Sequence, residues 1–567
     1  MFPDAAARRG ASRGPILLLV ILAAAAWLPS VGSSGFALDD REVLFGNPVV
    51  EGDLPLSAVF DRDYWNHRGD AGHYRPLATL SLRLDRAWSG ERAAGYHATN
   101  VLLHVLVVLV AALAWSRLAP QRVPLLGLAL FACHPALADA VAWISGRTAM
   151  LSVLGGLVGV HLAIGSRARA RAFVAGFAAS LGALLAKEDG AVFGAATVLV
   201  APARLRGSAL AGACTGIAAA LSLRTYALGE FLPSAPHAPL AHVALGERLV
   251  VGGLAVVEGL KLAAAPFAHA PLWTADALAP GLAPAARSAV GMLGLLVPAA
   301  ALALAAPGLF RAAARRGPSA TGVRFDLRCS ATLCALAVLP LLQLVPAGEV
   351  FAPRWLYLPL LLGAPLVEVG LRSLLPAART GQLALVGVLL GALVVASWSR
   401  CDVYASRAAF RKAVLRHRPD DAPSWNDLGV AHWEAGDRAG AERAFERSAA
   451  LDPNYSRPWT NLGNLALEEG RLDHAVESLT RAVILGPRQP LAHLALGNAL
   501  RRVGRAGEAV LACERAVELA PGLAAGWRAL ARAREASGDE VGARSAARRA
   551  AELDPGRGAL PPPSPER

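Results

Sequence analysis

The chain has 567 residues, 54% of them hydrophobic and 17% charged, with a mean hydropathy of +0.42. That balance excludes an ordinary soluble enzyme and points to a membrane protein. Net charge is +13, but the arginines cluster in short loops between apolar runs and along C-terminal helices, which assigns the excess to topology and surface charge and excludes nucleic acid as a partner.

In chain order, Arg8, Arg9 and Arg13 precede an apolar run at 15–31. It is long enough to cross a bilayer and is read as a retained span rather than a cleaved signal, because many further runs follow. Residues 34–96 then form a polar loop with tryptophans, tyrosines and prolines, a composition suited to short amphipathic helices on a membrane surface. The loop begins with Asp39 and Asp40, and ionisable groups close to hydrocarbon are costly and usually retained for function. A solvated loop start is the competing reading. Apolar runs recur at about 98–116, 123–142, 148–165, 172–187, 190–202, 208–224, 245–264, 287–309, 328–346, 354–371 and 381–398, giving about 11 to 12 spans in all. The six cysteines are scattered, with no C-x-x-C pair and no histidine at ligand spacing, so neither a disulfide framework nor a zinc site is predicted.

Basic loops mark the cytoplasmic side, which makes the N-terminus cytoplasmic; the chain is read as a multi-pass protein of a bacterial-type inner membrane. Alternation satisfies all the basic groups if the 245–264 run, which carries Glu258 and Lys261, does not cross fully. The chain beyond about 399 then lies outside; if the run crosses, that region is cytoplasmic.

From residue 400 the pattern changes. Trp425-x-x-Leu428-Gly429 recurs from Trp459, His493 and Trp527 at a step of 34 residues, and Pro453, Pro487, Pro521 and Pro555 keep the same step. This is the tetratricopeptide pattern of paired helices, with one further helix predicted over 404–419. The predicted fold is all-α: an N-terminal stub and first span (1–33), the first outward loop (34–96), a polytopic helical domain (97–399), a tetratricopeptide solenoid (400–556) and a tail (557–567). Such a solenoid offers a concave groove and no chemistry, so it reads as a polypeptide-binding surface, with Asn426, Asn461, Asn464 and Asn498 as groove candidates, or as an assembly scaffold.

Several polar groups fall at the outward ends of the early spans. Arg75 lies in the loop, His134 precedes Pro135 within the third run, Asp139 and Trp143 are one helical turn apart, and Arg147, Lys187, Glu188 and Arg354 follow. Each has a structural alternative: a hydrogen-bonded kink at His134, an ion pair at Lys187 and Glu188, snorkelling at Arg147 and Arg354. Arginine on the outward side runs against the usual bias and asks for an anion, for which a lipid phosphate serves.

The ordered set LDDREVLFGNP from Leu38, YRPL from Tyr74, GYHATNVLLH from Gly95, FACHPALADAVAWISGR ending at Arg147, LLAKEDG ending at Gly190 and RWLYLP from Arg354, followed by tetratricopeptide repeats, resembles the transmembrane and tetratricopeptide-repeat O-mannosyltransferases. These are C-type glycosyltransferases, and the resemblance covers nearly the whole chain in order. It implies a polyprenyl-phosphate sugar donor, typically mannose, membrane lipid around it, and transfer to serine or threonine hydroxyls of an exported protein or peptide acceptor. It implies Asp39 and Asp40 as the catalytic acidic pair, and Arg75, His134, Asp139, Arg147, Lys187, Glu188 and Arg354 as donor-phosphate or substrate groups. No dedicated metal ligand is assigned; a vicinal acidic pair could hold Mg or Mn, and metal-assisted and metal-free transfer both stay open. The chain departs from the pattern at 136–139, where a second histidine and a glutamate are usual and Asp139 is the one carboxylate, and at Thr148, where an acidic residue is usual. A non-catalytic membrane scaffold for envelope proteins is the alternative function.

Overall fold

The computed structural model describes residues 13–33, 35–38, 40–45, 47–64, 73–119, 123–229, 240, 242–267, 278, 286–300, 327–342, 350–374 and 379–554. Among these residues the regular structure is α- and 3-10-helix with no β-strand. The chain divides into two compact units, Met1–Phe410 and Arg411–Arg567.

In the first unit, five described helices are long and apolar enough to cross a membrane: Gly14–Val31, Ala93–Leu118, Ile144–Ala163, Pro353–Leu374 and Gly381–Tyr404. The other described apolar runs form shorter or less apolar helices, including Arg169–Leu184, Val192–Val200, Arg206–Leu228 and Leu245–Ala264. Helices Arg147–Ala163 and Arg169–Leu184 pack closely because glycines face one another: a Cβ on Gly155 would lie 2.8 Å from the carbonyl carbon of Gly182.

The run at 123–142, expected as one span, is broken. Helix Leu125–Ala132 stops at Cys133, and Pro135–Leu137 and Ala138–Val141 follow as separate short turns. The cause is Pro135, which has no N–H to continue the ladder. The carbonyls freed by the break find side chains: Ala132 O accepts from Trp27 Nε1 (2.9 Å) and His104 Nε2 (3.0 Å), and Cys133 O accepts from Ser397 Oγ (2.9 Å). Irregular backbone is thereby kept inside the protein with its polar groups paired, the condition for tolerating it at membrane depth. Arg147, the last residue of the motif FACHPALADAVAWISGR, opens the next helix.

The first loop packs on the span Ile144–Ala163, with Val43, Leu44, Val50, Tyr64, Ala78, Leu82 and Tyr96 buried together with Ile144. Asn47 caps helix Pro48–Glu51 by accepting from Val49 N at 3.1 Å, with proline at the position where a missing N–H costs nothing. Pro76 opens the helix Pro76–Ser89 in the same way.

In the second unit, helices Ala422–Glu434, Ser456–Glu468, Pro490–Arg502 and Ala524–Ala536 alternate with Arg438–Leu451, Leu472–Leu485, Ala506–Leu519 and Glu540–Leu553. Gly436, Gly470, Gly504 and Gly538, again 34 apart, turn each pair with φ of 80, 78, 87 and 84°, a region that disfavours side chains. Trp425 and Trp527 donate to Pro419 O and Pro521 O, and His493 takes the same place towards Pro487 O, so each ring pins the loop six residues upstream. The preceding helix, expected over 404–419, runs Arg407–His417, after a 3-10 turn at Asp402–Tyr404.

Candidate active site

The acidic stretch is a turn held from inside the protein. Asp40 N donates to Ala37 O (3.0 Å), and Ala37 N returns a bond to Asp40 Oδ2 (3.0 Å). Asp40 Oδ1 accepts from both the amide (3.0 Å) and hydroxyl (2.8 Å) of Ser145. Asp40 is 0% exposed, and burial pushes its carboxyl up to about 6 even though the Ser145 and Ala37 bonds and the nearby Arg147 pull it down. Leu38 sits at φ 46°, a left-handed conformation that is uncommon for leucine and persists only when its surroundings fix it. Asp39 lies outside the described residues. Phe36 anchors the entry to the turn, edge-on to Phe45 and Tyr96 at 5.2 and 6.1 Å.

Arg147 stands behind this turn. It is 0% exposed, and its guanidinium donates to Asp85 Oδ2 (2.6 Å), Tyr96 O (3.0 Å) and Ile144 O (3.2 Å). With all three nitrogens engaged inside the protein, it is placed to hold the loop helix to the span rather than to meet a lipid phosphate. Asn100 completes the support, its amide donating to the carbonyls of Val141, Trp143 and Ile144.

A second cluster is half-exposed. Arg75 Nη2 donates to Glu188 Oε2 (3.3 Å), His73 Nδ1 lies 3.8 Å from Glu188 Oε1, and Leu77 N bonds to Leu185 O (3.2 Å), which docks the loop on the Lys187–Glu188 turn. Burial acts to raise Glu188, yet Arg75 and His73 beside it hold its carboxyl well below the usual carboxylate range. Lys187 pairs with Asp189 at 2.8 Å. Arg75 Nε and Glu188 Oε1 have no hydrogen-bond partner among the described residues. Of the proposed anion ligands, this cluster keeps a donor in hand.

The third cluster forms around Asp139, which is 3% exposed. Its Oδ2 accepts from the amide and guanidinium of Arg354, both at 3.1 Å, and its Oδ1 from the hydroxyl of Tyr404 at 3.3 Å. The Arg354 guanidinium also lies 4.8 Å from the centre of the Trp143 ring. Asp139 and Trp143 therefore meet through Arg354, not on one helix, since the helix carrying Asp139 ends at Val141. His134 is the hydrogen-bonded kink: Nδ1 accepts from Ala136 N (3.3 Å), so Nε2 carries the proton donated to Ala263 O (3.0 Å).

In the second unit, Asn461 Nδ2 donates to Asn426 Oδ1 at 2.9 Å, joining consecutive repeats, while Asn426 is 3% exposed. Asn464, on the same helix as Asn461, and Asn498, 34 residues further on, are half-buried.

Family models described as tetratricopeptide repeat match residues 422–455 and 460–524. The second unit is a tetratricopeptide-repeat domain. The chain is 38% identical over 125 residues to protein O-mannosyl-transferase Tmtc1 of Drosophila melanogaster, covering 21% of this chain and 15% of that one. It is 30% identical over 173 residues to protein O-mannosyl-transferase F38B6.6 of Caenorhabditis elegans, covering 28% and 24%. The relatives bear the name of the family that the ordered motifs resemble. The matches span under a quarter of each relative's length. Among solved structures, MamA is similar at 21% identity and a TM-score of 0.25, over 28% of this chain and 91% of that one.

Four residues without a site assignment from the sequence belong to these clusters: Ser145, Asp85, Tyr404 and His73. Asp85 carried a signal, as a lone carboxylate on the buried stripe Ala78, Leu82, Asp85, Ser89 of an amphipathic helix. The others pair across 105, 265 and 115 positions of chain, beyond any local pattern.

Proposed function

We propose that the chain is a membrane glycosyltransferase that moves mannose from a polyprenyl-phosphate carrier to serine or threonine hydroxyls of a protein held by the tetratricopeptide domain. The observation that carries this reading is the held turn at 37–40: a strained leucine and a buried, fully bonded aspartate flank Asp39 on either side. In this mechanism Asp39 takes the proton of the acceptor hydroxyl as its oxygen attacks the anomeric carbon. The bond from that carbon to the phosphate oxygen breaks, the phosphate leaves with the electron pair, and the sugar carbon inverts. Arg75, Lys187 and Arg354 supply positive charge for the leaving phosphate, with Glu188 and Asp139 orienting two of these groups. Asp40 supports the turn. In proteoliposomes, Asp39→Asn abolishes transfer from mannosyl-phosphoryl-polyprenol to a peptide acceptor while the protein stays folded; retained transfer removes the reading.

A second reading, a membrane-anchored scaffold, is favoured by the family-model matches, which lie wholly within the second unit. It requires that the tetratricopeptide domain alone restore the phenotype of a deletion strain.

A further inference from the structure

We infer that Ser145 is a positioning residue: through Asp40 it fixes Ala37, Leu38 and Asp40, the residues that flank Asp39 in the chain. This rests on the proposed role of Asp39 as base. Asp40 is fully buried, so it acts through protein groups rather than by touching substrate. One carboxylate joins two turns distant in sequence, Oδ2 to Ala37 N at 3.0 Å and Oδ1 to the Ser145 hydroxyl and amide at 2.8 and 3.0 Å. Among the described residues, that bridge and the single backbone bond from Asp40 N to Ala37 O (3.0 Å) close the turn in which Leu38 is held at φ 46°. The far side is rigid: the Ile144–Gly146 turn is fixed by Asn100 through the carbonyls of Trp143 and Ile144 and by Arg147 through Ile144 O. Serine at 145 is therefore a short donor on a braced support, and its partner is the one residue that the chain places directly after Asp39. The charged and titratable groups packed around the turn are Arg147, paired with Asp85, and His97, close to Gly35.

The test uses the full chain in proteoliposomes, with mannosyl-phosphoryl-polyprenol and a serine/threonine peptide, and compares Ser145→Ala, Ser145→Thr, Asp40→Asn and Asp39→Asn. Ser145→Ala should lower kcat about tenfold or more, the scale of a lost orienting contact, with KM for either substrate changed less than about twofold. Its acid limb should move to higher pH, because the lost hydroxyl bond is one that holds Asp40 down. Ser145→Thr keeps the hydroxyl and should recover most of kcat. Wild-type kcat and pH profile in Ser145→Ala, alongside an inactive Asp39→Asn, overturn the inference and leave the base reading standing; an active Asp39→Asn overturns the base reading itself. Should Ser145→Ala fail to fold, Asp40→Asn leaves one acceptor oxygen where two are needed, for Ala37 N and for Ser145, and is judged by the same kcat and KM changes. Hydrogen exchange gives a readout independent of activity: the Ala37 and Asp40 amides should exchange at least about tenfold faster in Ser145→Ala, and unchanged exchange overturns the inference.

Discussion

Asp40 is held at a cost that sets a sign on its pH dependence. Its folded value of about 6 lies above the ordinary 3.8, so the folded chain binds the proton more tightly, and ionisation removes stability as pH rises from 3.8 through 6. Above pH 6 that penalty is fully present, roughly 3 kcal/mol for about two units. Thermal unfolding in detergent should show the difference in Tm between Asp40→Asn and wild type moving in the variant's favour between pH 5 and 7; a constant difference contradicts the assignment. Arg147 behaves oppositely, since its loss strands Asp85 in the interior. Arg147→Ala should destabilise by about 3 to 5 kcal/mol, read from denaturation midpoints. Leu38→Gly relieves a left-handed leucine and should leave stability unchanged or raise it by up to about 1 kcal/mol, while slackening the turn enough to lower kcat.

At the scale of elements, the tetratricopeptide helices were legible because one set of contacts repeats every 34 residues: a ring fills the pair, and glycine admits its neighbour. A Cβ on Gly429 would stand 2.5 Å from the Phe445 ring. The turn glycines keep the same period, and Gly470→Ala should cost about 1 to 2 kcal/mol from backbone strain alone, as no atom lies within 4 Å of the added carbon. Chemical denaturation of the second unit measures it. The break at His134-Pro135 was legible as a kink, but its extent was not, because the side chains that satisfy its carbonyls, Trp27, His104 and Ser397, come from three other helices. For the same reason the motif FACHPALADAVAWISGR read as one helical face, whereas it threads two clusters: Asp139 and Trp143 meet Arg354, while Ser145 meets Asp40 and Arg147 meets Asp85. The residue types of the site were visible in the sequence. Which of them face a substrate and which face each other depended on pairings more than 60 residues apart.

For the whole molecule, two units with separate cores predict separable roles. The second unit buries its own clusters around Leu462 and Phe445, Leu479, and Leu530, so residues 411–567 should fold alone with cooperative helical unfolding by circular dichroism. If, as proposed, the chemistry belongs to the first unit and the groove concentrates acceptor, deleting the second unit should raise KM for a protein acceptor by an order of magnitude or more while leaving transfer to a short peptide within a few-fold. If the first loop carries the catalytic base, mannose transfer by purified Asp39→Asn protein in proteoliposomes, with folding verified by melting temperature, reads it out. The kcat should fall at least about 100-fold with the melting temperature unchanged; transfer at the wild-type rate would remove Asp39 as the base.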